Sequence, residues 1–343
     1  AVVVNAGIAN AATGEAGLEL CRKTADYAAE ALHIRPEAVL LGSTGVIGPL
    51  IPLDRITAGI SAMIPLLSAS EEAAWCASRA IMTTDTISKE AAVSFELPSA
   101  EGSGAVSVRL GGMCKGSGMI HPNMCTMLAY LTTDCQISQP LLQKALSEVV
   151  KDTFNMISVD GDTSTNDTLL ILSSGEARNR EITEENEDWQ VFKEALFTVC
   201  REFAIKMAGD GEGATHLMEM RVCGADTKDN ARKLARSVIS SSLVKAMIFG
   251  KDANCGRILC ALGYAGVEFD PAKVDLFLLG KGEELCCCRG GHILDFDEEK
   301  ALSLLSRKEV RFRCDMGMGD QEATAWGCDL TYDYVRINGD YRS

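Results

Sequence analysis

Strand-like and helix-like runs alternate along the whole chain without settling into a strict βαβ repeat, which limits the fold to a layered α+β architecture. Ala1 to Val4 reads as a buried strand, followed by a Gly/Asn-rich turn from Asn5 to Gly14. Leu18, Cys21, Ala25, Ala28, Ala29 and Leu32 then recur at helical spacing. Ala38 to Leu41 is a short apolar strand ending at Gly42-Ser43-Thr44-Gly45, and helical patterns cover Ile56 to Leu67 and Glu71 to Ile81. Ala91 to Leu97 and Ala105 to Leu110 read as paired strands, with a glycine-dense loop from Gly111 to Gly118. A strand follows Thr126, then a helix over Gln139 to Phe154, a strand at Leu169 to Leu172 and a long helix over Asp188 to Met207. After a strand at His216 to Cys223, Asp226 or Thr227 can cap a helix reaching Phe249. The last hundred residues read as short strands and one helix near Glu298 to Ser306, and the best domain break lies near Gly250.

A length of 343 residues suits two domains, or one large domain with a lobe, and 47% apolar residues suffice for a core. The net charge is -15 and no Lys/Arg run occurs, which argues against a nucleic-acid partner. The acidic stretch Glu181 to Asp188 reads as a solvated helix start. No run of roughly 18 apolar residues could span a membrane, and no signal peptide precedes Ala1, so a cytoplasmic location is expected. A chain that begins inside a strand is expected to have a trimmed N-terminus. The 14 cysteines include no C-x-x-C pair and the four histidines are scattered, so reduced thiols and no metal site are expected.

Four segments could carry chemistry. In Lys115 to Leu128, glycines and Pro122 precede an abruptly apolar stretch that opens at Thr126. A threonine there suits an N→O acyl shift, in which its hydroxyl attacks the preceding carbonyl and hydrolysis frees an amine. That amine, with an ordinary pKa near ~8, can serve as base for its own hydroxyl. In Ser43-Thr44-Gly45-Val46-Ile47-Gly48, a hydroxyl and a backbone N–H could form an oxyanion hole. In Gly209 to Thr215, Glu212 could meet an ammonium group. Val159 to Asp167 mimics a calcium loop but has Thr165 and Ile171 where Gly and Glu are required, so it reads as a side-chain-bonded turn. His121 lies near Thr126 without an obvious orienting carboxylate and reads as a loop histidine. On spacing alone, each of these segments also fits an ordinary turn or cap.

Together these segments resemble the ornithine acetyltransferase family, also called glutamate N-acetyltransferases, of arginine biosynthesis. The resemblance runs from Asn5 to Ser343 and includes Asn5 to Gly14, Ser43 to Gly48, Ile81 to Thr86, Lys115 to Leu128, Val159 to Asp167, Gly209 to Thr215 and Asp333 to Ser343. It implies self-cleavage between Cys125 and Thr126 into chains 1–125 and 126–343, which stay associated as a heterotetramer of two α and two β chains. It implies Thr126 as nucleophile, Thr44 and Gly45 as the oxyanion hole, and substrate contacts from Thr83 (with Thr84 as fallback), Lys115, Thr126, Glu212, Asn338 and Ser343. The implied reaction is ping-pong transfer of acetyl from N2-acetylornithine to glutamate, with acetyl-CoA as a further candidate donor and no cofactor. The family usually has Ala where this chain has Cys125, but the cut uses the carbonyl, so cleavage is expected. It also carries a further N-terminal segment ahead of Ala1, and tends to have Pro and Trp within the stretch matching Ala253 to Arg257, where only packing should differ.

The expected fold is an αββα-type α+β sandwich with a smaller C-terminal α/β lobe. Residues 1–250 would form the catalytic domain, and 251–343 a lobe whose tail returns to the site. The rival readings are an N-terminal-nucleophile aminopeptidase or amidase on the same scaffold, and an uncleaved, inactive binding homologue.

Overall fold

The computed structural model describes residues 1–102, 104–121 and 127–340. Cys125, Thr126 and Ser343 therefore lie outside the described residues. Strand β1 (Val2–Ala9), helix α1 (Gly14–Leu32) and strand β2 (Leu40–Ile47) form a parallel two-stranded unit. Both strands run further than expected: β1 continues into the Gly/Asn stretch read as a turn as far as Ala9, and β2 passes through Ser43-Thr44-Gly45. The cause is a glycine pair, Gly7 beside Gly45 in register. Gly45 has φ +123°, and a Cβ there would lie 2.3 Å from the Gly7 carbonyl carbon, so only glycine lets the two backbones close. Helix α2 (Leu53–Met63) packs on α1 over a small core of Ala28, Ala29, Val39 and Ile60. Helix α3 (Glu71–Ala80) is capped by Ser70, whose Oγ accepts the Ala73 N–H at 3.2 Å.

Strands β3 (Lys89–Pro98) and β4 (Ala105–Lys115) form the expected antiparallel pair. β4 continues through Gly111 and Gly112, which the sequence suggested were loop. A Cβ on Gly112 would lie 2.2 Å from the Tyr130 carbonyl oxygen, so the glycine serves close strand approach and not a turn. Strand β5 (Leu128–Thr133) pairs antiparallel with β4. Helix α4 (Gln139–Val149) gives way to 3-10 turns ending at Met156, where one helix to Phe154 was expected. Strand β6 (Ile157–Ser158) follows, and β7 (Thr168–Ser173) pairs parallel with β5 to complete a four-stranded sheet, β3-β4-β5-β7.

Helix α5 (Glu187–Gly209) starts where Asn186 Oδ1 accepts the Trp189 N–H at 3.1 Å, and Glu187 and Asp188 complement its N-terminal dipole. It buries Trp189, Phe192, Leu196 and Phe203, each contributing about 1.5–3 kcal/mol. Strand β8 (Leu217–Ala225) leads to α6 (Lys228–Ser240), capped by Thr227 as expected. The single helix expected to reach Phe249 is two. Ser241 turns extended and its Oγ accepts the Val244 N–H, starting α7 (Ser242–Gly250).

Beyond Gly250 come α8 (Cys255–Gly263), β9 (Asp275–Leu279), β10 (Glu284–Arg289), β11 (His292–Ile293), α9 (Glu298–Leu305), β12 (Glu309–Asp315), β13 (Gln321–Cys328) and α10 (Tyr332–Asp340). Helices α8 and α10 stand where only short strands were read. The second sheet runs β11-β10-β9-β12-β8-β13-β6 and so draws strands from both sides of Gly250. Helix α5 touches β3 and β4 of the first sheet and β8 and β13 of the second, while α6 packs on β8 and β13. One continuous core joins these layers, giving the expected α+β sandwich. Among the described residues no helix is long and apolar enough to cross a membrane, and no group of side chains could hold a metal ion. The described cysteines are free thiols.

Candidate active site

Lys115 ends β4 as a nearly buried ammonium. Its Nζ donates to the Thr83 hydroxyl at 3.0 Å and lies 3.8 Å from Asp85 Oδ2. Thr83, and not Thr84, is the threonine of the Thr83-Thr84-Asp85-Thr86 turn that meets Lys115. Burial is the largest influence on Lys115 and lowers its pKa; Asp85 only partly offsets this. Asp85 is itself pushed up by burial. The ammonium groups of Lys115 and Lys89, with the Gly116 N–H, together hold its carboxyl below the usual range.

A second layer sits directly behind. Lys89 is fully buried, with Nζ 2.7 Å from Asp85 Oδ1 and 2.5 Å from Asp210 Oδ2. Asp210, at the end of α5, also accepts from the backbone N–H and the hydroxyl of Thr86. Ser117 donates to the Asp210 carbonyl at 2.7 Å, and the Glu212 N–H donates to the Ser117 carbonyl at 3.0 Å. These bonds fix the loop after α5 against the end of β4. Glu212 is placed within the field of Lys115, and its Oε2 accepts from Asn338 Nδ2 at 2.7 Å. Asn338 lies on α10, so the chain's last described helix returns to this cluster.

Thr83, Lys115, Glu212 and Asn338 therefore converge. Thr44 and Gly45 sit on β2, outside this hydrogen-bond network among the described residues. They are tied to the neighbourhood through Ser43, whose Oγ accepts from Asn10 N and from Asn166 Nδ2, each at 2.9 Å. Asn166 precedes Asp167, which feels the Lys115 charge. His121 contacts Ser158 and Arg236, each at 3.0 Å, and feels the charge of Asp162, with no carboxylate in hydrogen-bond contact among the described residues. Asp160 accepts three backbone N–H groups, from Met119, Ile120 and Asp162, so its segment is the side-chain-bonded turn expected. The sequence reading gave no role to Asp85, Lys89, Asp210 or Asp167. The only signal for the first two was their separation by four residues.

Fold and cluster define the class: an α+β sandwich with a buried, oppositely charged site where strand ends and the C-terminal helix meet. Residues 1–343 match the ArgJ family throughout. The arginine biosynthesis bifunctional protein ArgJ of Symbiobacterium thermophilum is 51% identical over 343 residues, covering 100% of this chain and 82% of that protein. ArgJ 1 of Clostridium acetobutylicum is 49% identical with the same coverage. The crystal structure of the arginine biosynthesis bifunctional protein ArgJ from Bacillus halodurans superposes with a TM-score of 0.59 at 42% identity, covering 63% of this chain and 100% of that one. The chain belongs to the ArgJ family, and the family membership expected from its motifs is borne out.

Proposed function

We propose that this chain is an acyltransferase of arginine biosynthesis that moves acetyl from N2-acetylornithine to glutamate through an acetyl-Thr126 intermediate. The observation that carries this reading is the pairing of opposite charges at the end of β4. Lys115 and Glu212 are both buried, and each retains bonding capacity for a ligand. An α-carboxylate suits Lys115 beside Thr83, and a side-chain ammonium suits Glu212 held by Asn338. The names of the relatives, bifunctional proteins of arginine biosynthesis, point the same way.

In this reading the chain cuts itself between Cys125 and Thr126, and the freed amine acts as base for the Thr126 hydroxyl. Thr44 and the Gly45 N–H hold the oxyanion. Ornithine leaves, glutamate takes the acetyl group, and acetyl-CoA is a second donor for the same acceptor. Ser343 would be a further substrate contact. The halves 1–125 and 126–343 would stay together because β4 pairs with β5 across the cut, and the assembly would be two α and two β chains in the cytoplasm.

Intact mass spectrometry and an acetyl-transfer assay test this. Wild-type protein should give two masses that meet at Thr126. Thr126→Ala should remain one chain and lose transfer by about 10⁴-fold or more. A Thr126→Ala protein that transfers acetyl at the normal rate overturns the reading, and hydrolysis without transfer points to an amidase.

A further inference from the structure

Gly118 closes the glycine-dense loop after β4, and its φ lies outside the left-handed region that favours glycine. What excludes a side chain there is space. The three atoms nearest to a Cβ placed on Gly118 all belong to the Glu212 carboxyl group: its carbon at 2.3 Å and its oxygens at 2.3 and 2.4 Å. The carboxylate therefore rests on the bare Cα of residue 118. The nearby glycines have other reasons. A Cβ on Gly211 would lie 2.6 Å from Cys328 Sγ, and one on Gly213, at φ +69°, would lie 2.7 Å from the Tyr334 backbone nitrogen. Those two serve packing of the core and of α10, whereas Gly118 serves the carboxylate.

Both flanks of Gly118 are clamped. Ser117 donates its hydroxyl to the Asp210 carbonyl at 2.7 Å, and its carbonyl accepts the Glu212 N–H at 3.0 Å. On the other side, the Met119 and Ile120 N–H groups donate to Asp160 at 2.6 and 3.0 Å. Of the parts in contact, the Glu212 carboxylate alone ends a flexible side chain, so it is the part that would yield to a methyl group. Yielding would take it off its bond from Asn338 Nδ2 at 2.7 Å.

We infer that Gly118 is a positioning residue for substrate selection: its missing side chain seats the Glu212 carboxylate where it receives a side-chain ammonium. This rests on the reading in which Glu212 meets ornithine. Ordinary carbon contact distances are about 3.5–4.0 Å, so a methyl group at 118 displaces the carboxylate by about 1 Å or more and leaves its charge intact. A charge-assisted hydrogen bond is short and directional and does not survive such a shift unweakened. Lys115 and Thr83, which would take the α-carboxylate, have no part in the contact.

The test compares two acetyl donors, N2-acetylornithine and N2-acetylnorvaline, which has the same carbon chain without the terminal nitrogen. Transfer to glutamate is followed as kcat/KM. Wild-type protein should favour acetylornithine, and Gly118→Ala should shrink that preference by about tenfold or more, with acetylnorvaline turnover nearly unchanged. Its melting temperature should move by less than about 3 °C, because a side chain yields and not the fold. In a Glu212→Asp background the shortened side chain no longer covers residue 118, so adding Gly118→Ala should change the preference by less than about threefold. Equal losses with both donors overturn the proposal, as do effects of the two substitutions that simply multiply. A wild-type protein that uses the two donors equally, or neither, instead removes Glu212 from the ammonium and takes the underlying reading down as well, so the two failures are distinct.

Discussion

Lys89 opens β3 and Lys115 closes β4. In the antiparallel register Lys89 pairs with Cys114, so the two lysines are neighbours across the hairpin. Their bonding differs sharply. Lys89 has no exposed surface and its ammonium touches two carboxylates, Asp85 and Asp210. Among the described residues, Lys115 has one hydroxyl at 3.0 Å and one carboxylate oxygen at 3.8 Å, near the outer limit of an ion pair. An ammonium has three donors. Those of Lys89 are committed to joining the turn before β3 to the end of α5, whereas Lys115 keeps donors for a ligand. Under the proposed function, in which Lys115 meets substrate and Lys89 does not, burial alone does not mark a site residue; spare bonding capacity does.

The largest effect should come from breaking the saturated side. In Lys89→Met, Asp85 and Asp210 lose their shared cation while buried. Removing one member of such a pair costs about 3–5 kcal/mol, far more than the pair contributes relative to an apolar replacement. Urea unfolding should show a loss of that size. A loss below about 1 kcal/mol would mean that the Asp85–Lys89–Asp210 cluster is not what holds the site together.

The spare side should respond in the opposite manner. Lys115→Gln leaves Asp85 with Lys89 and the Gly116 N–H, so unfolding stability should change by less than about 1 kcal/mol. Acetyl transfer should suffer instead. A charge-assisted hydrogen bond to a substrate carboxylate is worth about 1.5–3 kcal/mol, or roughly 10- to 150-fold in kcat/KM. Equal losses of stability in the two variants would erase the distinction between the lysines.

How much of this could be read from the sequence depends on the range of the interaction. Helices α1 and α5 follow from apolar spacing, the β3–β4 pair from alternation, and Lys115, Glu212 and Asn338 from their motifs. β1 and β2 were cut short because Gly7 and Gly45 look like turn residues, and only their side-by-side placement shows that they belong to strands. Lys89 and Asp210 are separated by 121 residues, and no local pattern announces a partner at that distance. Asp167 stands inside a motif read as a turn, but the burial of its carboxylate oxygens without a geometric hydrogen bond among the described residues is a property of the packed molecule. Helix α10 escaped because its core-facing side is polar: it docks through Asn338 on Glu212 and through Thr331, whose hydroxyl donates to the Gly213 carbonyl at 2.8 Å and accepts the Tyr334 N–H at 3.2 Å.

That docking gives the smallest effect. Asn338 Nδ2 donates both to Glu212 Oε2 and to the Tyr334 carbonyl, so it couples the helix to the carboxylate that would hold the ornithine ammonium. Asn338→Ala removes one hydrogen bond to a charged acceptor but leaves Glu212 attached through its backbone to Ser117. The cost should be about 1 kcal/mol, a roughly fivefold rise in KM for acetylornithine with kcat nearly unchanged, because Glu212 loses orientation and not charge. Lys115→Gln should instead weaken recognition of both amino-acid substrates, since both carry an α-carboxylate. A variant at Asn338 that also raised KM for glutamate to the same extent would show that the helix shapes the whole pocket, and that the division of labour around the end of β4 is between Lys89 and everything else.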